Sequence, residues 1–151
     1  MTKSAFIHIQ EAYSIDKLVV WIGQYSQGEG CSKHATAYLD IDAARVIFWD
    51  LLLRGGFPEK LYKERKIEFY GGNEKEGRVT ARVLKFQEDP TKNSPIIIEV
   101  ASGPGKRNAA GGYQPIGRMD ASRIYLDKFT ARKLAATVLH HIDKLQPQFV
   151  E

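Results

Sequence analysis

The sequence predicts an α+β protein made of two pseudo-repeated units, each an antiparallel sheet followed by a helix (ββββα-like), with the first copy less regular. Three observations predict it. Apolar and polar residues alternate over several short stretches, which is the period of half-buried strands. Two longer stretches carry apolar residues at helical spacing. The junction between these patterns occurs twice. Tyr38-Leu39-Asp40-Ile41-Asp42-Ala43-Ala44-Arg45 returns as Tyr125-Leu126-Asp127-Lys128-Phe129-Thr130-Ala131-Arg132, with Tyr, Leu, Asp, Ala and Arg at the same offsets and Leu52 matching Leu139. A repeat outranks any single element in deciding a fold. The expected organisation is one domain over residues 1–151, with pseudo-repeats over 5–56 and 64–146.

In chain order, Phe6 to Gln10 alternates and predicts a first strand, and Ser14-Ile15-Asp16 a turn. Lys17 to Tyr25 is β-rich, with Leu18, Val20 and Ile22 on one side and Val19, Trp21, Gly23 and Tyr25 on the other. Gln27 to Gly30 predicts a loop, and Ala35 to Asp40 a strand with Ala37 and Leu39 inward and Tyr38 outward. Asp40 or Asp42 is placed to cap the helix that follows. Ala44, Ile47, Phe48, Leu51 and Leu52 form its apolar stripe, Trp49 falls on the other flank, and Gly55-Gly56 with Pro58 ends it.

Glu59 to Arg65 is a charged linker, and Lys66 to Tyr70 a strand. Gly71 through Gly77 signals a hairpin. Arg78 to Phe86 alternates, with Val79, Ala81 and Val83 expected inward and Arg78, Thr80 and Arg82 outward. A polar turn around Pro90 leads to a β-branched strand over Ile96 to Val100. Ser102 to Gly117 is Gly-rich and basic and predicts a loop. Arg123 to Leu126 is the last strand, with Arg123 and Tyr125 outward. Leu134, Ala135, Val138, Leu139, Ile142 and Leu145 stripe the final helix, which Pro147 closes.

A chain of 151 residues with 43% hydrophobic residues can bury a sizeable core. No stretch has the length of a membrane span, so no membrane partner is expected. The first residues lack a signal peptide's apolar run. The single cysteine, Cys31, fits a reducing compartment, which predicts the cytoplasm, with association to a nucleoid. Net charge is +4, but from Ala101 to Lys133 Lys106, Arg107, Arg118, Arg123, Lys128, Arg132 and Lys133 face only Asp120 and Asp127. A concentrated positive field attracts phosphate better than the same charge spread evenly.

The outward strand positions carry the most chemistry. Trp21, Tyr25, Tyr38, Arg78, Arg82, Arg123 and Tyr125 fall off the helix-covered side, and flat rings beside cations suit unpaired bases and their phosphates. Each residue taken singly equally serves cross-strand packing, and a register slip of one residue inverts the faces. Gly103-Pro104-Gly105-Lys106-Arg107 lacks P-loop spacing. It reads either as a basic hairpin that closes over a nucleic-acid backbone or as a connector. Cys31 and His34 have no second ligand pair at zinc spacing. His140 and His141 are adjacent and point apart, and no Cys-His or Ser-His signature for nucleophilic catalysis is present.

The order of elements and the two Tyr-Leu-Asp…Ala-Arg junctions at 38–45 and 125–132 resemble the Whirly family and the related positive-cofactor-four type of single-stranded DNA-binding domain. The lysine-rich motif of plant Whirly proteins is absent, and the first half shows one strand fewer than the family unit. The resemblance implies a twisted sheet that binds single strands with little sequence preference, and association into dimers or tetramers.

The expected function is therefore single-stranded nucleic-acid binding, DNA before RNA, by a non-enzymatic protein that needs no cofactor and no metal. Trp21, Tyr25, Tyr38 and Tyr125 would stack bases, and Arg78, Arg82, Lys106, Arg107, Arg118 and Arg123 would contact phosphates. Two competing readings are an enzyme for a small anionic substrate, with the 103–113 loop as lid, and a protein-interaction module using Trp49 or the Leu134–Leu145 stripe.

Overall fold

A computed structural model describes residues 4–12, 15–26 and 30–145. The order is β1 (Ser4–Ala12), β2 (Lys17–Ser26), β3 (Gly30–Asp40), α1 (Ile41–Arg54), β4 (Lys66–Lys75), β5 (Arg78–Glu88), β6 (Ile96–Arg107), β7 (Tyr113–Pro115), β8 (Asp120–Leu126) and α2 (Lys128–Leu145). β1–β2–β3 form one antiparallel sheet. β4–β5–β6 form the second, with β8 and then β7 paired antiparallel to successive parts of β6. The α+β architecture of two antiparallel sheets and two helices is the one expected. The three-stranded first sheet is the missing strand noted in the sequence. Ser14, the Gln27 to Glu29 loop, the side chains of Cys31 and Leu145, and the stop at Pro147 lie outside the described residues.

Alternation sends Leu18, Val20, Ile22, Ala37 and Leu39 of the first sheet into the core. Leu84, Phe86, Ile96, Ile98, Val100, Ile124 and Leu126 of the second sheet meet the same core, which both helices complete. Phe86 is its hub. Its ring meets Phe48 of α1 at 5.8 Å, and Phe57 of the linker and Phe69 of β4 each at 6.3 Å, all edge-on. The helices pack against one another in antiparallel fashion. Arg45 of α1 bonds Asp143 of α2 at 3.0 Å, and the sequence-matched Arg132 of α2 donates to the Leu52 carbonyl of α1 at 3.0 Å.

The two helix starts differ. Asp127 caps α2, accepting from the Thr130 amide at 2.7 Å and its hydroxyl at 3.0 Å, and these bonds hold its carboxyl below the ordinary value. Asp40 occupies the same position before α1, but its carboxylate takes Lys17 Nζ at 2.6 Å and caps nothing. Gly55 closes α1 at φ 70°. Glu88, the last residue of β5, is buried against the segment between α1 and β4, accepting from the Phe57 amide at 2.8 Å and Arg65 at 3.4 Å. Tyr62 is also buried and donates to Asp50. Burial first, and then that hydrogen bond, raise its phenol above the ordinary value.

The hairpin signalled over Gly71 through Gly77 is present, and its turn is the tight pair Glu76 (φ 54°) and Gly77 (φ 78°), both left-handed as a two-residue hairpin requires. Two expectations are corrected. On β5 the faces are inverted: Leu84 and Phe86 face the core, so Arg82 and Thr80 share the core side and Val79, Ala81 and Val83 the outer side. The Ser102–Gly117 stretch is mostly strand. β6 runs on to Arg107 and returns as β7 through a turn held by Asn108 Oδ1, which accepts from the Ala110 and Gly112 amides at 3.1 and 2.9 Å. This hairpin folds over the outer face of the second sheet. It lies on cross-strand neighbours Gly72, Ala81 and Gly103, whose missing or small side chains make room for Tyr113, Gly105 and Met119.

Truncating the hub tests this packing. Phe86→Ala should lower unfolding free energy by about 3–5 kcal/mol, read from the urea midpoint, and a loss below about 1 kcal/mol would show that the ring does not hold the layers together.

Candidate nucleic-acid interface

The outer face of the first sheet is built by alternation on three strands. Trp21 and Tyr25 come from β2 and Tyr38 from β3, as expected, and β1 and β3 add Phe6, His8 and His34. Cross-strand partners arrange them in rows: Gln10, Val19 and Tyr38; then His8, Trp21 and Thr36; then Phe6, Gly23 and His34. Each row therefore carries at least one ring. Gly23 explains how the indole lies flat, because a Cβ there would occupy the space the Trp21 ring fills. The indole thus bridges Phe6, at 4.9 Å, and His34, at 5.8 Å and 22° from parallel. Tyr25 stacks on Phe6 at 4.9 Å and 13°. Phe6 and Tyr38 stay 41% and 48% exposed, so ring surface remains open to solvent. Among the described residues, the rows from Phe6 to Tyr38 contain no carboxylate; the next row holds the Lys17–Asp40 pair. Phe6 and His34 were legible in the same alternation that located Trp21.

The outer face of the second sheet is electrostatically different. Arg123 and Tyr125 project from β8 as expected. Glu68, Lys85, Glu99 and Arg123 are cross-strand neighbours in one row, so charge alternates across four strands. Glu99 meets Arg123 at 2.8 Å and Lys85 at 3.7 Å. A hydrogen bond with Tyr125 and then the Glu99 charge raise Arg123 above its ordinary value. Tyr125 has Lys92 Nζ 5.1 Å over its ring. Arg123 and Tyr125 also line a groove of about 630 Å³ along the β8 edge, opposite Gln24 and Lys33 of the first sheet.

The remaining predicted cations gather around β5 and the β6–β7 hairpin. Arg107 bonds the Tyr113 hydroxyl at 2.9 Å, stacks its guanidinium 5.0 Å over that ring and lies 3.8 Å from Glu74. Lys106 and Arg118 are exposed on the hairpin and its return, and Arg78 is exposed at the start of β5. Arg82 donates to Asn73 Oδ1 at 3.0 Å. Among the described residues no carboxylate pairs with Arg78, Arg82, Lys106 or Arg118. Arg82 and Tyr38, on different sheets, meet in a crevice of about 390 Å³ between the β3 and β4 edges.

Of the competing surfaces, the α2 stripe is spent: Ala135, Val138, Leu139 and Ile142 are buried in the core. Trp49 is 54% exposed, flanked on α1 by exposed Val46 and Leu53. Among the described residues no group of three or more His, Cys, Asp or Glu could hold a metal, and no helix is long and apolar enough to cross a membrane.

No family model and no curated protein sequence matches the chain. Solved structures do. WHY3 from Arabidopsis thaliana superposes with a TM-score of 0.55 at 11% identity, covering 95% of this chain and 80% of that one. The plant transcriptional regulator PBF-2 superposes with a TM-score of 0.53 at 11% identity, covering 95% and 81%. The chain has the Whirly fold.

The aromatic face makes a prediction of its own. Gly23→Ala should lift the indole off the sheet, shifting Trp21 emission to longer wavelength in a Trp49→Phe background while the far-ultraviolet circular dichroism is unchanged. Unaltered emission would mean that the ring does not rest on Gly23.

Proposed function

We propose that the chain binds single-stranded nucleic acid, DNA before RNA, with little sequence preference. Unpaired bases stack on the outer face of β1–β3, over Phe6, Trp21, Tyr25 and Tyr38. Phosphates are held by Arg78, Arg82, Lys106 and Arg118, with Arg107 and Arg123 contributing at the margins. The observation that carries this reading is a row-by-row array of rings in rows that hold no carboxylate among the described residues, together with cations around β5 and the β6–β7 hairpin that no acid among the described residues pairs. Base–aromatic stacking is tolerant of sequence because every base has a flat face. Counterion release makes such binding weaken as salt rises. The shared fold with a plant transcriptional regulator agrees with a nucleic-acid partner.

Binding rather than catalysis also fits the titratable groups. Asp89 and Asp127 are lowered by bonds to nearby Thr91 and Thr130, and Tyr62 is raised by burial, so these shifts have local structural causes. The reading calls for no cofactor. It takes the chain as a homo-oligomer, dimer or tetramer, joined through Val46, Trp49 and Leu53. These three large apolar side chains on α1 are 54–60% exposed, and Val46 and Trp49 border a groove of about 360 Å³ that Leu139 also lines.

Anisotropy of labelled oligo(dT) at two salt concentrations, with duplex competitor, tests the binding. Tight binding that salt weakens and duplex does not displace is expected, with Trp21→Ala costing about 1–3 kcal/mol. Binding that ignores Trp21, or that duplex displaces, would contradict the stacking face. Sedimentation velocity checks the assembly: Trp49→Glu should yield monomers, and an unchanged species would place the interface elsewhere.

A further inference from the structure

Gly71 is a glycine that the chain's own structure does not require. Of the other described glycines, four sit at positive φ, and the rest hold a neighbouring atom against their backbone. Gly71 lies inside β4 without positive φ, and a Cβ added there would meet nothing within 4 Å. A glycine in a strand interior weakens the strand. A strand glycine often marks a close approach to the backbone, and among the described residues nothing approaches this one.

The space above Gly71 is the crevice of about 390 Å³ between the β3 and β4 edges. Tyr38 of β3 stands on one lip, 48% exposed, while Tyr70 and Tyr113 line the crevice from the other face of β4. Arg82, the cross-strand partner of Gly71, lines the same space. It bonds the neutral Asn73 amide, so among the described residues its charge is not met by an acid. Lys17 also lines the crevice, but Asp40 offsets it at 2.6 Å. A bare backbone floor with the Tyr38 phenol on its lip and one guanidinium that no acid among the described residues meets suits a ligand that is flat, aromatic and anionic.

We propose that this slot takes one nucleotide, its base over Gly71 against Tyr38 and its phosphate on Arg82. The slot deepens the proposed single-strand binding and rests on it for the identity of the ligand. The nucleotide comes either from a bound strand or from a free mononucleotide.

Gly71→Val tests it, because a β-branched residue suits a strand and its Cβ would meet nothing within 4 Å; Gly71→Ala serves as the smaller second variant. The full chain should melt at or above the wild-type temperature and bind oligo(dT) about tenfold more weakly, near the lower end of what one stacked base contributes. Free dTMP followed by NMR separates the sources. Shifts at Gly71 in the wild type that vanish in Gly71→Val support a slot open to free nucleotide. No dTMP shifts together with weakened oligo(dT) binding support a slot for a strand nucleotide only. If oligo(dT) binds both proteins equally and dTMP perturbs neither, the slot is overturned and the stacking face stands. If the wild type does not bind oligo(dT), the binding reading fails, and dTMP alone decides the slot: shifts at Gly71 support it and their absence overturns it.

Discussion

The packing of Phe86 sets how the second sheet meets α1 and the segment that follows it. Its ring is fully buried and meets rings from α1, from the linker and from β4. That contact fixes which side of the second sheet the helices cover. Once Phe86 and Leu84 point inward, the period of two along β5 places Arg82 at the inner mouth of the two-sheet core and leaves Ala81 to the outer face. Interiors packed this densely admit one arrangement of their neighbours, so the hub also settles where the sheet edges meet. The crevice between β3 and β4 is where apolar filling stops. Phe69 and Leu84 pair inside the core; one step outward the pair is Gly71 and Arg82.

The two outer faces then have different chemistry. The second sheet carries opposite charges in cross-strand register, which satisfy one another and leave little net field. Its far end is covered by the β6–β7 hairpin. The first sheet carries rings in register, with an indole laid flat over a glycine. Neighbouring rings stabilise the sheet they stand on, and the same flat surfaces are what an unpaired base needs. Structure and proposed function therefore draw on one set of residues.

Much of this was legible in the sequence because strand and helix periods differ. Both helices, their apolar stripes, the three-stranded first half and the outward placement of Trp21, Tyr25, Tyr38, Arg123 and Tyr125 follow from alternation. β5 was misread because Val79, Ala81 and Val83 are apolar yet small. The larger Leu84 and Phe86, two residues apart on the opposite parity, decide the face. The strand character of 102–107 was hidden because Gly103, Gly105, Gly111 and Gly112 read as loop, whereas Gly103 and Gly105 are needed so that two layers of backbone can touch. The charge ladder was out of reach, since Glu68, Lys85, Glu99 and Arg123 become neighbours only once the register of four strands is known. The same holds for Gly71, whose significance is the empty space above it.

On the proposed reading, single strands lie on the first sheet and at its seam with the second, not across the second sheet's charge ladder. Amide chemical-shift mapping with oligo(dT) separates the two surfaces. Shifts are expected at Phe6, Trp21, Thr36, Tyr38 and Gly71, with Lys85 and Glu99 unmoved. Shifts concentrated at Lys85 and Glu99, with the β1–β3 amides silent, would contradict that placement.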